Sequence, residues 1–150
     1  MSSITTDQGI LHYETFGRGK PVILLHGWLG SWGLWREVMT WLGQYYRTYA
    51  LDFWGFGESG KKRETYHVQD FVALVDQFMD RLGIVQAPLV GHSMGGTVNE
   101  EEPRMKLVYL VISLLPPVAV VALAWYVVRA ISVRVTWRET DVRRLDDEPA

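Results

Sequence analysis

The chain has 150 residues, 48% of them hydrophobic and 21% charged, with a formal net charge of −2. That is the composition of one ordinary globular domain, large enough to bury roughly 70% of the surface its unfolded chain exposes. The charge gives no reason to expect nucleic acid, and the absence of cysteine excludes disulfides and thiolate metal sites.

The N-terminus, Met1 to Asp7, has neither the basic n-region nor the apolar h-region of a secretion signal. Asp7-Gln8-Gly9 is a turn signal between two extended stretches. After it Leu11, Tyr13 and Thr15 alternate with His12, Glu14 and Phe16, the pattern of a hairpin strand. Val22-Ile23-Leu24-Leu25 is a continuous apolar run, expected of a strand covered on both faces, and it stops at His26-Gly27. Trp35, Val38, Met39 and Leu42 recur at helical spacing, which predicts an amphipathic helix over Leu34–Leu42. Arg47–Leu51 reads as a strand ending at Asp52, followed by the glycine-rich loop Phe53–Gly60. Phe71, Val72, Val75, Phe78, Met79 and Leu82 define a second helix, closed by Gly83.

Leu89-Val90 then runs into Gly91-His92-Ser93-Met94-Gly95, a G-x-S-x-G pentapeptide. Between a strand and a helix this pattern predicts a sharp, strained turn with Ser93 at its tip. Gly91 and Gly95 flank it because a β-carbon at either place would strike adjoining backbone. Alternating strands and helices predict a mostly parallel sheet with right-handed crossovers, flanked by helices. His26-Gly27, Asp52 and Ser93 all end strands, so they share one edge of that α/β sheet, where ligands of such folds bind.

Four features together resemble the α/β-hydrolase superfamily. They are the strand ending His26-Gly27-Trp28, the loop Asp52-Phe53-Trp54-Gly55-Phe56-Gly57-Glu58-Ser59, the helix ending Arg81-Leu82-Gly83-Ile84, and Gly91-His92-Ser93-Met94-Gly95-Gly96. The resemblance covers about residues 10–98. It is strongest to the group of esterases, C–C hydrolases, proline iminopeptidases and haloperoxidase-like enzymes. Epoxide hydrolases and dehalogenases of the superfamily carry Asp at the elbow, which Ser93 sets aside.

The resemblance implies acyl transfer from a small-molecule ester or acyl substrate, without a cofactor. Ser93 is then the nucleophile, and the backbone N–H groups of Trp28 and Met94 form the oxyanion hole. Gly27, Trp28 and Trp54 are expected to touch substrate. His26 corresponds to a structural histidine and Asp52 to a loop-holding aspartate. Of the tryptophans, Trp32, Trp35 and Trp41 are expected to pack helices on the sheet. No metal-ligand spacing or phosphate-binding glycine loop is present.

The family orders its triad Ser, acid, His. After Ser93 there is no histidine, although Asp141, Asp146, Asp147 and Glu148 offer carboxylates. His92 adjoins Ser93 on a turn where side chains diverge, and His12 and His67 are expected to be solvated or capping. The triad acid and histidine are therefore not found, and activity is expected to be impaired. The other reading is a non-catalytic membrane-anchored module, or a truncated or chimeric hydrolase fragment.

The expected organisation is a hydrolase portion over residues 1–104, an apolar segment over 105–130 and a mixed-charge tail over 131–150. Leu107–Val128 is a run of 22 residues without a charge. It exceeds the threshold of about 18 and predicts a single transmembrane helix, with Trp125 and Tyr126 near one end. The alternative makes Lys106–Ile112 the next parallel strand, and the protein cytoplasmic.

Overall fold

The computed structural model describes residues 2–62, 65–101 and 107–109, the last three and residues 99–101 by their backbone. Six strands form one sheet in the order β1-β2-β4-β3-β5-β6. β1 (Ser2–Thr6) and β2 (Gly9–Phe16) are a hairpin closed through Asp7-Gln8, and β2 also pairs antiparallel with β4 (Arg47–Leu51). β3 (Pro21–Leu25) runs parallel to both β4 and β5 (Leu89–Gly91), and β5 runs parallel to β6 (Leu107–Tyr109). The sheet is thus mixed, with its parallel part holding the strand ends predicted to share an edge.

β3 is buried along its whole length, as its unbroken apolar run requires. Because side chains alternate along a strand, Val22 and Leu24 enter one core and Ile23 and Leu25 the other. The first core is covered by α1 (Arg36–Leu42), through Val38, Met39 and Leu42, with Trp35 just before it. The second is covered by α2 (Val68–Arg81), through Phe71, Leu74, Val75, Phe78 and Met79, with Val98 of α3 (Met94–Glu101) beside them. The predicted helix over Leu34–Leu42 begins differently: Trp32–Trp35 form a 3-10 turn, and the α-helix starts at Arg36. Trp32 and Trp41 pack partly buried on the same core, as expected of them.

The apolar segment is corrected where the structure describes it. Leu107–Tyr109 pair with Leu89–Gly91 as the strand of the alternative reading. No helix among the described residues is long and apolar enough to cross a membrane. Residues 110–128 of the predicted span, and the carboxylates from Asp141 onward, lie outside the described residues.

The topology explains why two loops meet. α1, which follows β3, lies on one face of the sheet, whereas α3, which follows the neighbouring β5, lies on the other. Chains leaving adjacent parallel strands toward opposite faces open a crevice at their carboxyl ends. The loops after β3 and β5 border that crevice.

Candidate active site

Ser93 is exposed between β5 and α3, with φ +51°. A non-glycine residue in this left-handed region is uncommon and stores backbone strain. The surrounding bonds over-determine it. The His92 N–H donates to the Leu25 carbonyl at 2.9 Å, the Gly95 N–H to the His92 carbonyl at 3.0 Å, and the Gly96 N–H to the Ser93 carbonyl at 2.8 Å.

Both flanking glycines are needed for space. A β-carbon on Gly91 would meet the Gly95 carbonyl, and one on Gly95 would meet the Leu25 carbonyl. Gly27 is equally confined: its β-carbon would lie 2.7 Å from His92 Nδ1 and 3.1 Å from Ser93 Cβ. The loop after β3 therefore presses against the serine turn, and Trp28 follows at that contact. The Gly30 N–H closes a turn onto the Gly27 carbonyl at 3.1 Å, and Leu29 inside it takes φ +56°. The loop leaves Trp28 67% exposed and Leu29 80% exposed.

His26 is fully buried behind this loop. Its Nδ1 is 2.7 Å from the Gly27 carbonyl, and its Nε2 accepts the Phe53 N–H at 3.1 Å. A ring that donates at Nδ1 and accepts at Nε2 is neutral. Burial holds its pKa below the ordinary 6.5, outweighing the Gly27 carbonyl and Asp52, which raise it; His92 lowers it further. His26 thus ties the loops after β3 and β4 together.

Asp52 does the same for the loop after β4. Its Oδ1 accepts the Trp32 N–H at 2.6 Å, and its Oδ2 accepts the Glu58 N–H at 3.0 Å and lies 2.9 Å from His12 Nδ1. Ser59 closes the loop, donating its hydroxyl to the Asp52 carbonyl at 2.7 Å and accepting the His12 N–H at 2.8 Å.

Two sequence expectations change, those for His12 and Trp54, and the capping expected of His67 is met. His12 is buried against Asp52 rather than solvated. That His–Asp pair has the contact of a triad's acid and base, but three strand spacings separate β2 from β5, about 14 Å. His12 therefore does not reach the serine turn. Trp54 is fully buried in the α2-side core, so its indole presents no surface to a substrate. His67 is the N-cap residue of α2, where its own N–H donates to the Asp70 carboxylate at 2.8 Å. The remaining histidine, His92, keeps its Nδ1 buried with no hydrogen-bond partner among the described residues. No group of three or more metal-ligating side chains occurs among the described residues.

Sequence reading alone missed a cavity of about 430 Å³ lined chiefly by Trp28, Phe56, Tyr66 and Phe71. These four are separated in the chain by up to 43 positions (71 − 28), and only folding brings them together.

Comparison with known proteins agrees with this architecture. The soluble epoxide hydrolase of Corynebacterium sp. (strain C12) is 35% identical over 88 residues, covering 59% of this chain and 31% of its own. The pimeloyl-[acyl-carrier protein] methyl ester esterase of Vibrio campbellii is 31% identical over 88 residues, covering 59% of this chain and 33% of its own. The solved structure of the epoxide hydrolase CorEH without ligand superposes with a TM-score of 0.62 at 32% identity, covering 65% of this chain and 34% of its own. The chain spans about a third of the length of these relatives. The profile of the alpha/beta hydrolase fold family matches residues 20–98, the stretch from β3 through Val98. By its sheet order, its serine turn and this match, the chain belongs to the alpha/beta hydrolase fold family.

Proposed function

We propose that the chain is the nucleophile-bearing, N-terminal portion of a serine hydrolase acting on ester or acyl substrates. The observation that carries the reading is the contact of Gly27 with the serine turn, which sets Trp28 beside an exposed, strained Ser93. In this reading Ser93 Oγ adds to the acyl carbonyl carbon. The carbonyl oxygen takes up the negative charge and receives the N–H groups of Trp28 and Met94. No backbone bond among the described residues uses either N–H. Removing one such donor typically costs ~10²–10³ in rate. Ser93 supports an ester or acyl substrate over an epoxide, since Asp is the elbow residue in the superfamily's epoxide hydrolases.

Attack also requires a base for the Ser93 proton. His12 and His26 are bound to the loop after β4, His67 stands at the start of α2, and the sequence after Ser93 contains no histidine. We infer that this chain by itself reacts slowly. In studied triads, loss of members still leaves ~10³–10⁴ over water from the oxyanion hole and binding. The second reading, a non-catalytic module on a hydrolase scaffold, is favoured by that same missing base.

A fluorophosphonate probe applied to the folded chain, beside Ser93→Ala, tests the assignment. Slow labelling that disappears in Ser93→Ala is the expected result. No labelling of folded protein removes the nucleophile assignment, and rapid labelling removes the impairment.

A further inference from the structure

β1 is an outer strand of the sheet, and among the described residues it pairs on one side only. Edge strands of soluble proteins are usually blunted by a charge, a proline or a bulge. Ser2-Ser3-Ile4-Thr5-Thr6 has neither charge nor proline, and its pairing runs unbroken from Ser2↔Tyr13 to Thr6↔Gly9, so it has no bulge. The bonds of β2 show which way the β1 backbone faces. The Ile10 carbonyl accepts the Gly60 N–H at 2.8 Å, the His12 N–H donates to Ser59 Oγ at 2.8 Å, and the His12 carbonyl accepts the Asp52 N–H at 3.0 Å. Those groups point away from β1. Opposed residues of an antiparallel pair alternate between exchanging two bonds and exchanging none. Ser3↔His12 and Thr5↔Ile10 are therefore the pairs that exchange none. The N–H and C=O groups of Ser3 and Thr5 face outward from the sheet, and both residues are exposed.

We propose that this edge joins two copies of the chain, paired antiparallel about a two-fold axis at Ile4. The register follows from the outward groups. With Ile4 opposite its own copy, each chain's Ser3 lies opposite the other's Thr5. Each such pair exchanges two N–H···O=C bonds, and the two pairs use every outward group of Ser3 and Thr5. Centring the axis on Thr5 would instead oppose Ser3 to Asp7, whose N–H already donates to Gln77 Oε1 at 3.0 Å. Centring it on Ser3 would set Thr5 against residue 1, beyond the strand. The side chains match in the same register. Ile4, partly buried on the α2 side, meets its own copy. On the opposite face a serine hydroxyl meets a threonine hydroxyl, a favourable cross-strand pairing. No like charges are opposed, since the strand carries none. This self-complementarity, which a two-fold contact requires, favours a second copy over a foreign strand. Five residues a side bury less than a standard interface, so the dimer is weak and forms as concentration rises. The inference is independent of the serine-hydrolase reading.

Sedimentation equilibrium of the full chain is expected to give a mass that rises with concentration toward that of two chains. Thr5→Pro removes an outward N–H that the β1–β2 pairing does not use, a substitution edge strands accept. It deletes one bond from each Ser3–Thr5 pair and is expected to weaken the dimer about tenfold, with the circular dichroism of the dilute protein unchanged. Disulfide trapping reads the register, since the chain has no cysteine of its own. In Ile4→Cys the two copies of the residue oppose each other with Cα atoms about 4.5 Å apart, within disulfide reach. In Ser3→Cys and in Thr5→Cys the two copies sit diagonally, about 7–8 Å apart, beyond that reach. Mild oxidation is expected to link Ile4→Cys into dimers much faster than either control. A mass of one chain at every concentration overturns the proposal, as does a dimer that Thr5→Pro leaves unweakened. Equal linking at all three positions overturns the register.

Discussion

Gly27 touches Ser93: a β-carbon on the glycine would lie 3.1 Å from the serine Cβ and 2.7 Å from His92 Nδ1. The contact joins the loops after two neighbouring strands, and the serine turn cannot keep its shape if the glycine gains a side chain. Gly27→Ala is expected to cost about 1–3 kcal/mol, the usual range for overpacking, and to reduce fluorophosphonate labelling further. Gly33→Ala is the control. Its β-carbon would meet only Ser31 Oγ, at 3.4 Å, so a change within about 0.5 kcal/mol is expected. Urea denaturation of both variants checks this, and equal midpoints would show that the loop yields.

Ser93 holds a backbone conformation that glycine adopts without strain. Ser93→Gly is expected to stabilise the chain by about 1 kcal/mol while eliminating labelling. Ser93→Ala also eliminates labelling but keeps the strain. A Ser93→Gly variant no more stable than Ser93→Ala would show that the turn stores no strain at this residue.

Asp52, itself fully buried, meets one buried partner, His12, and the half-buried N–H groups of Trp32 and Glu58. Asn keeps one acceptor oxygen and turns an NH2 toward the remaining donors. Asp52→Asn is expected to destabilise by about 1–3 kcal/mol, the cost of leaving one buried group unpaired. Denaturant titration measures it. A loss under about 0.5 kcal/mol would mean that the loop after β4 is held by its other bonds alone.

His26 makes stability depend on pH. Burial, the largest influence, holds its pKa below the ordinary 6.5, and a proton on Nε2 would break the bond from the Phe53 N–H. The unfolded chain therefore binds this proton more readily than the folded one. The stabilisation is complete above about pH 6.5 and is lost as the pH falls from there through the folded pKa. Denaturation midpoints at several pH values below neutrality are expected to drop, and to drop less in His26→Asn. An equal acid dependence in the two proteins would assign the effect to other groups.

Local features of the sequence determined much of this molecule. Period-two alternation located β2, an unbroken apolar run located β3, and period-3.6 spacing located α1 and α2, because each element advertises its own buried face or faces. The serine turn was legible because its pattern is local: Gly91 is required by the backbone of Gly95 and Gly96 a few residues on, although Gly95 is confined by the Leu25 carbonyl of the neighbouring strand. The approach of Gly27 to Ser93, the burial of His12 and Trp54 and the aromatic cavity were not legible, since each joins residues far apart in the chain. Even Leu107–Tyr109 read two ways, because a short apolar run suits a helix or a buried strand equally. Pairing with β5 decided it. Periodicity reports which face of an element is apolar; the neighbour that covers that face is chosen by the whole fold, through sheet order and the face each crossover takes.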